Sequence, residues 1–184
     1  MVEIKIDNGL MLIKPSKDYL DELKAYREEF LNNGDSMDGC GPLRKYDYMN
    51  EDLEMKNRYL KLETLPKWMI IATQFLCVRK SDNKLVGMIQ IRHYSNEYLE
   101  KYAGHIEYSV RPSERRKGYA SWILNSIKPF CKSIGLDKIL GCCFNTNVGS
   151  RKTKLKNGGI CDGTVYYEPK NNYLERYRID VANS

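Results

Sequence analysis

Hydrophobic and polar positions change period several times along the chain, and each change marks an element. Met1 to Leu12 alternates apolar residues with Glu3, Lys5 and Asp7, and Leu10 to Ile13 is a short apolar run closed by Lys14-Pro15-Ser16. A proline there stops the run from continuing as a helix. From Ser16 the spacing becomes helical: Tyr19, Leu20, Leu23, Tyr26, Phe30 and Leu31 recur at three and four residues until Asn32-Asn33-Gly34. Gly34 to Pro42 reads as a loop. A second, more polar helix is predicted from about Asp47 to Leu62, with Tyr48, Leu53, Tyr59 and Leu60 inward.

The middle of the chain has strand character. Met69 to Arg79 and Lys84 to His93 are rich in β-formers, and Ser81-Asp82-Asn83 between them is turn chemistry, so the pair predicts a hairpin. Gly104 to Val110 is a third strand, closed by Arg111-Pro112-Ser113. A helix follows on Tyr119, Ala120, Ile123, Leu124, Ile127, Cys131 and Ile134, in which Pro129 marks a kink or the start of the last turn. Lys138 to Phe144 reads as a buried strand and Val148 to Lys156 as a short helix stopped by Asn157-Gly158-Gly159. Cys161 to Glu168 and Tyr173 to Val181 form a closing hairpin. The order β-α-α-β-β-β-α-β-α-β-β predicts an α+β fold with a mixed, mostly antiparallel sheet, in one domain over residues 1–184.

Composition removes several classes. With 184 residues, 42% hydrophobic and 29% charged, the chain can bury its own core. It has no run of about 20 apolar residues and no continuous apolar signal core at its start. Six cysteines without a C-x-x-C and two histidines offer poor material for a metal site. Reduced thiols and a cytoplasmic location are the expectation. The net charge of +6 raises a basic nucleic-acid-binding module as a third possibility, without any accompanying motif.

Candidate chemistry concentrates in Val110-Arg-Pro-Ser-Glu-Arg-Arg-Lys-Gly-Tyr-Ala120. A strand ends, a proline turns the chain, and a basic loop containing Gly118 opens a helix. The first turn of a helix offers unpaired N–H groups and the positive end of its dipole. Arg111, Arg115, Arg116 and Lys117 add four positive charges against the single Glu114, so the segment fits a pyrophosphate site. The same spacing also fits an incidental helix-start glycine beside a solvated basic face. Neither a P-loop nor a G-x-G-x-x-G pattern is present.

Arg115-Arg116-Lys117-Gly118-Tyr119-Ala120 matches the [RQ]-x-x-G-x-[GA] signature of the GNAT acetyltransferase superfamily. Asn147-Val-Gly-Ser150 followed by Lys156-Asn-Gly-Gly159 is similar to that family's N-x-x-S…K-x-G element. The sequence from Ile91-Arg-His-Tyr94 through GHIEYSVRPSERRKGYA resembles a subgroup of predicted acetyltransferases of about this length. The resemblance is strong from about residue 84 to 160 and weak before residue 65.

The resemblance implies a single-domain GNAT fold, acetyl-CoA as acyl donor without a metal, and direct transfer of the acetyl group to a primary amine. It implies that Tyr108, Ser109 and Val110, on the strand from Glu107, face the pantetheine arm. The N–H groups of Arg116, Lys117, Gly118, Tyr119, Ala120 and Ser121 would hold the pyrophosphate, with Arg115 beside them. Asn147 would contact the cofactor arm, and Ser150 would stand near the thiol. Arg151, Lys152, Lys154 and Lys156 form a second basic cluster, either for the 3′-phosphate or a solvated helix face. His105 and Glu107, two apart on the strand, are the two candidates for general base. Many relatives carry a tyrosine seven residues after the motif asparagine as the acid for the leaving thiolate; here that position is Lys154. Ser150 or water would then serve.

The implied acceptor is a small molecule or a peptide amine, without nucleic acid or membrane, on a monomer or homodimer. Tyr166-Tyr167 and Tyr173 are candidates to line its groove. The alternative is an acyl-CoA-binding GNAT-fold sensor or interaction module without transfer activity, which would suit the missing tyrosine and Glu107, a position where the resemblance leads one to expect glycine.

Overall fold

The computed structural model describes residues 4–7, 9–44 and 70–181, with backbone alone for 4–7 and 42. The helix predicted over Asp47 to Leu62 and its inward residues lie outside the described residues. The alternating N-terminus forms a hairpin of β1 (Ile4–Asp7) and β2 (Leu10–Ile13), a strand pair the sequence pattern did not resolve. β2 pairs with β3 (Ala72–Arg79), β3 with β4 (Lys84–Arg92) and β4 with β5 (Ile106–Val110), all antiparallel. A second antiparallel sheet has β8 (Asn172–Asp180) between β6 (Lys138–Phe144) and β7 (Gly159–Tyr167). The expected mixed sheet is therefore two antiparallel sheets that adjoin at β5 and β6.

Helices cover both faces of the first sheet. Ser16 opens the first helical segment without a side-chain cap, through a tight turn at Lys17–Tyr19 that leads into α1 (Leu20–Asn32). Its Leu23, Tyr26 and Phe30 pack on Leu76, Val78, Leu85 and Met88. On the other face, Phe75, Cys77, Val86, Ile89 and Ile91 pack on Ile123, Leu124, Ile127 and Cys131. β3 is thus buried on both sides, which is why its sequence is continuously apolar instead of alternating. The register shifts where Cys77 opposes Gly87 but Val78 opposes Leu85, so Val86 is an extra residue and the inward pattern of β4 changes phase there.

The single helix predicted after the basic loop is two: α2 (Tyr119–Ser126) and α3 (Lys128–Ser133). They join at Ile127, with Pro129 in the first turn of α3, where the missing N–H costs nothing. β6 and α4 (Val148–Lys156) have the bounds the pattern predicts, and Gly158 ends α4 at φ +82. A five-residue π-helical turn at Leu99–Ala103 precedes β5. No described helix is long and apolar enough to cross a membrane.

Candidate active site

The two sheets meet through glycine. Gly104 and Gly141 form an isolated bridge. A Cβ on Gly104 would lie 2.3 Å from the Leu140 carbonyl oxygen, and one on Gly141 would lie 3.2 Å from Ile106. His105 holds the seam closed: its N–H donates to the Leu140 carbonyl at 2.7 Å, and the Leu140 N–H donates back to its Nδ1 at 3.0 Å. Past this bridge no ladder joins β5 to β6. Each is the edge of its own sheet, and unpaired edges require something to cover them.

This assigns His105 a structural task. It precedes β5, is 7% exposed, and accepts at Nδ1. Burial first, then Arg178 and Arg92, lower its pKa against the opposing charge of Glu100, so the ring is neutral at physiological pH. That neutral state adds stability above the unfolded value near 6.5 and loses it as pH falls below. His105→Ala strands the buried Leu140 N–H at a cost of about 1–3 kcal/mol. The melting temperature is expected to fall by roughly 2–4 °C for each kcal/mol. A normal melting temperature with lost turnover would instead make the imidazole the base.

Glu107 lies two residues further on. Its Oε1 accepts from Arg92 at 2.7 Å, while Oε2 has no partner among the described residues. A ring cluster stands in its electrostatic reach: Tyr98 shares a 3.2 Å hydrogen bond with Tyr167, and Tyr102 packs on both. The Tyr167 hydrogen bond, burial and the Glu107 charge push the Tyr98 hydroxyl up to about 12. Of the three tyrosines singled out in the closing hairpin, only Tyr167 joins this wall. Tyr166 and Tyr173 pair with each other, ring centres 5.3 Å apart.

The loop before residue 42 also reaches the site, as nothing in its sequence indicated. Gly39 presses against β5 so closely that a Cβ would sit 2.2 Å from the Glu107 carbonyl oxygen. Next to it, the Asp38 carboxyl is raised by desolvation and by the charge of Glu107, against a hydrogen bond from Ser36 and the charge of Lys154. Ser109 turns to the α1 side, between Tyr26 Oη at 3.1 Å and Cys40 Sγ at 3.2 Å. Tyr108 turns to α4, with its hydroxyl 3.1 Å from Ser150 Oγ. Val110 is half-buried, and its carbonyl accepts from Arg115 Nε at 3.2 Å.

The basic loop is less free than its charge count suggests. Arg111 is buried, donating to Glu29 at 2.6 Å and Glu22 at 3.0 Å, and so ties the loop to α1. Arg115 pairs with Asp35 at 2.5 Å. Lys117, Arg79 and Lys84 converge on Glu114. Burial alone would raise that carboxyl, but the three cations hold it at about 2. Its contribution to stability is complete above about 4.5 and is lost as pH falls through about 2. Among the described residues, Arg116 alone of these loop cations has no carboxylate partner.

The backbone of this loop has the features of an anion site. Arg116 and Gly118 adopt left-handed conformations at φ +63 and +83, and successive N–H groups turned in this way form anion-binding concavities. The N–H groups of Arg116, Lys117 and Gly118 have no acceptor among the described residues. Tyr119, Ala120 and Ser121 follow as the first turn of α2, and nothing lies within 4 Å of a Cβ built on Gly118. Ser121 Oγ accepts from Asn157, which binds α2 to the end of α4. At the start of α4, Asn147 Oδ1 accepts the Ser150 N–H at 3.0 Å, so this asparagine is the helix cap. Of the second basic cluster, Lys152 and Lys156 are exposed and Arg151 pairs with Glu175, but Lys154 is 1% exposed and belongs to neither a phosphate patch nor a solvated face. Cys142 is pushed up to about 12 by burial, in keeping with packing and not nucleophilic chemistry.

Comparison with known proteins places these features. Microcin C7 self-immunity acetyltransferase, solved with acetyl-CoA and AMP, is 16% identical, covers 95% of this chain and 93% of its own, and has a TM-score of 0.70. Ribosomal-protein-S5-alanine acetyltransferase from Vibrio fischeri is 19% identical over 100% and 98%, with a TM-score of 0.66. The dodecameric spermidine N-acetyltransferase from Vibrio cholerae is 14% identical over 96% of each chain, also at 0.66. At these identities the likeness establishes the fold. No protein of curated function matches in sequence. The sequence model of the Acetyltransferase (GNAT) family matches residues 44–158, well over half the chain, and so includes the seam, the basic loop and α4. The chain belongs to the GNAT acetyltransferase family.

Proposed function

We propose that this protein is an acetyl-CoA-dependent N-acetyltransferase that moves the acetyl group directly to a primary amine. The observation that carries this reading is the juxtaposition of two strand edges with a run of N–H groups at Arg116, Lys117 and Gly118, both without partners among the described residues. Pantetheine is an extended chain with two amides, suited to an open strand edge. Its pyrophosphate matches the donors at the start of α2. In this reading the edge of β5 from Glu107 to Val110 takes the arm, and Arg116 to Ser121 take the diphosphate. Asn147 keeps its amide N–H group for the arm. Arg115, Arg116 and Lys117 contribute long-range charge.

The acceptor amine enters beside Glu107, against the wall of Tyr98, Tyr102 and Tyr167. Aromatic faces favour a cationic group, and Glu107 is placed to take the proton that the amine must lose. The spermidine and ribosomal-protein-alanine enzymes of this fold define two acceptor classes worth trying, a polyamine and a peptide that presents alanine.

Thermal shift with acetyl-CoA, CoA and ATP in parallel tests the reading. A ligand at about 100 times its dissociation constant stabilises by about 2.7 kcal/mol, or roughly 5–10 °C for a domain of this size. Shifts with acetyl-CoA and CoA but not ATP are expected, followed by thiol release on addition of spermidine or an N-terminal-alanine peptide. No shift with either CoA species would remove the reading.

A further inference from the structure

Lys154 is a buried cation that the roles above leave unused. Its stem crosses Gly141 of β6, where a Cβ would come within 2.9 Å of Lys154 Cε, so this glycine makes room for it. Its nitrogen lies 5.4 Å from the centre of the Tyr108 ring and 6.0 Å from that of Tyr177, and donates to Ser150 Oγ at 2.5 Å. An ammonium has three donors. Among the described residues this is the only hydrogen bond it makes, and no carboxylate comes within 4.0 Å.

Burying an ammonium without a counter-charge is costly, and ring faces with one hydroxyl offset only part of the cost. The groups around it supply no negative charge in contact. Burial raises both the Cys142 thiol of β6 and the Tyr177 hydroxyl of β8. Tyr108 of β5 is engaged with Ser150. Asp38, in the loop packed on β5, feels the Lys154 charge but does not pair with it. A positive charge with spare donors therefore stands behind the gap between β5 and β6.

We propose that Lys154 Nζ receives the sulfur of CoA as it leaves and holds it as a thiolate, the counter-charge this ammonium lacks among the described residues. This rests on the acetyltransferase reading above. The amine nitrogen forms its bond to the acetyl carbon, the carbon–sulfur bond breaks, and the electron pair goes to sulfur. The thiolate stays paired with the Lys154 ammonium, and solvent supplies the thiol proton as CoA departs. The proton lost by the amine leaves through Glu107. The products are the N-acetyl amine and CoA thiol.

Titrating the thiol of bound CoA by its ultraviolet thiolate absorbance tests this without any acceptor. A cation within hydrogen-bond reach lowers an acid's pKa by about 1–3 units. The bound thiol is expected to titrate at least about one unit below free CoA in the wild type, and to lose that shift in Lys154→Met. With an acceptor, K154M is expected to lose kcat while keeping KM for acetyl-CoA. A bound thiol that titrates like free CoA in the wild type overturns the inference even if the variant does not fold. An equal shift in K154M also overturns it. Failure of CoA to bind at all would instead remove the underlying acetyltransferase reading, and thermal shift separates that case from the other two.

Discussion

Glu107→Gln is expected to lower kcat by about a hundredfold or more, the usual contribution of a positioned general base, while KM for acetyl-CoA stays nearly constant. The substitution keeps the shape of the side chain and an oxygen for Arg92, and removes only the ability to take a proton. The wild-type Glu107 side chain is 36% exposed, and its pair with Arg92 is correspondingly modest in energy, so the fold should tolerate the change. Binding of the donor should persist because the proposed contacts of β5 with pantetheine are made by its backbone. Of the two bases the sequence offered, His105 has its Nδ1 committed to the Leu140 N–H, whereas Glu107 keeps one oxygen without a partner among the described residues. Asp38 is the competitor that only the fold reveals, since burial and the neighbouring charge of Glu107 raise its carboxyl. Steady-state rates of Glu107→Gln and Asp38→Asn decide between them. An unchanged E107Q with an inactive D38N would transfer the role to Asp38.

The elements that carry the candidate site were legible in the sequence because their signals are local. Strand, proline turn, glycine and helix follow one another from Ile106 to Ser126, and α4 and β6 are bounded by their own stop residues. What the spacing left hidden was set by distant partners. Arg111 reads as one more loop cation until Glu22 and Glu29, more than eighty residues earlier, bury it. Lys154 reads as part of a charged helix face, because Arg151, Lys152 and Lys156 surround it in sequence. Its burial depends on the missing side chain of Gly141 across the seam. His105 and Glu107 look equivalent at a spacing of two, but the strand begins between them at Ile106, and the first binds Leu140 at the seam while the second pairs with Arg92. The phase change in β4 is of the same kind, since a bulge at Val86 is visible only against its partner strand.

The second large effect concerns Gly118, and it separates two reasons for a glycine. At φ +83 any L-residue is strained, by roughly 1–2 kcal/mol, so Gly118→Ala should lower the melting temperature by a few degrees. Protein packing adds nothing to that cost, because no atom lies within 4 Å of the position a Cβ would take. The open space lies beside the N–H groups of Arg116 and Lys117, which have no acceptor among the described residues, where the diphosphate would have to approach. Gly118→Gln fills that space with a side chain whose own amide competes for the same donors. Its dissociation constant for CoA is therefore expected to rise tenfold or more, which is about 1.4 kcal/mol or above, beyond whatever Gly118→Ala does. Calorimetric titration of both variants with CoA measures the difference. If alanine and glutamine lose stability equally and bind CoA as the wild type does, the glycine serves the turn alone and the diphosphate binds elsewhere. If glutamine alone abolishes binding, the empty side of the turn is the phosphate site, and the left-handed Arg116 is strain that the fold holds in order to present those N–H groups, while Gly118 takes the same conformation without cost.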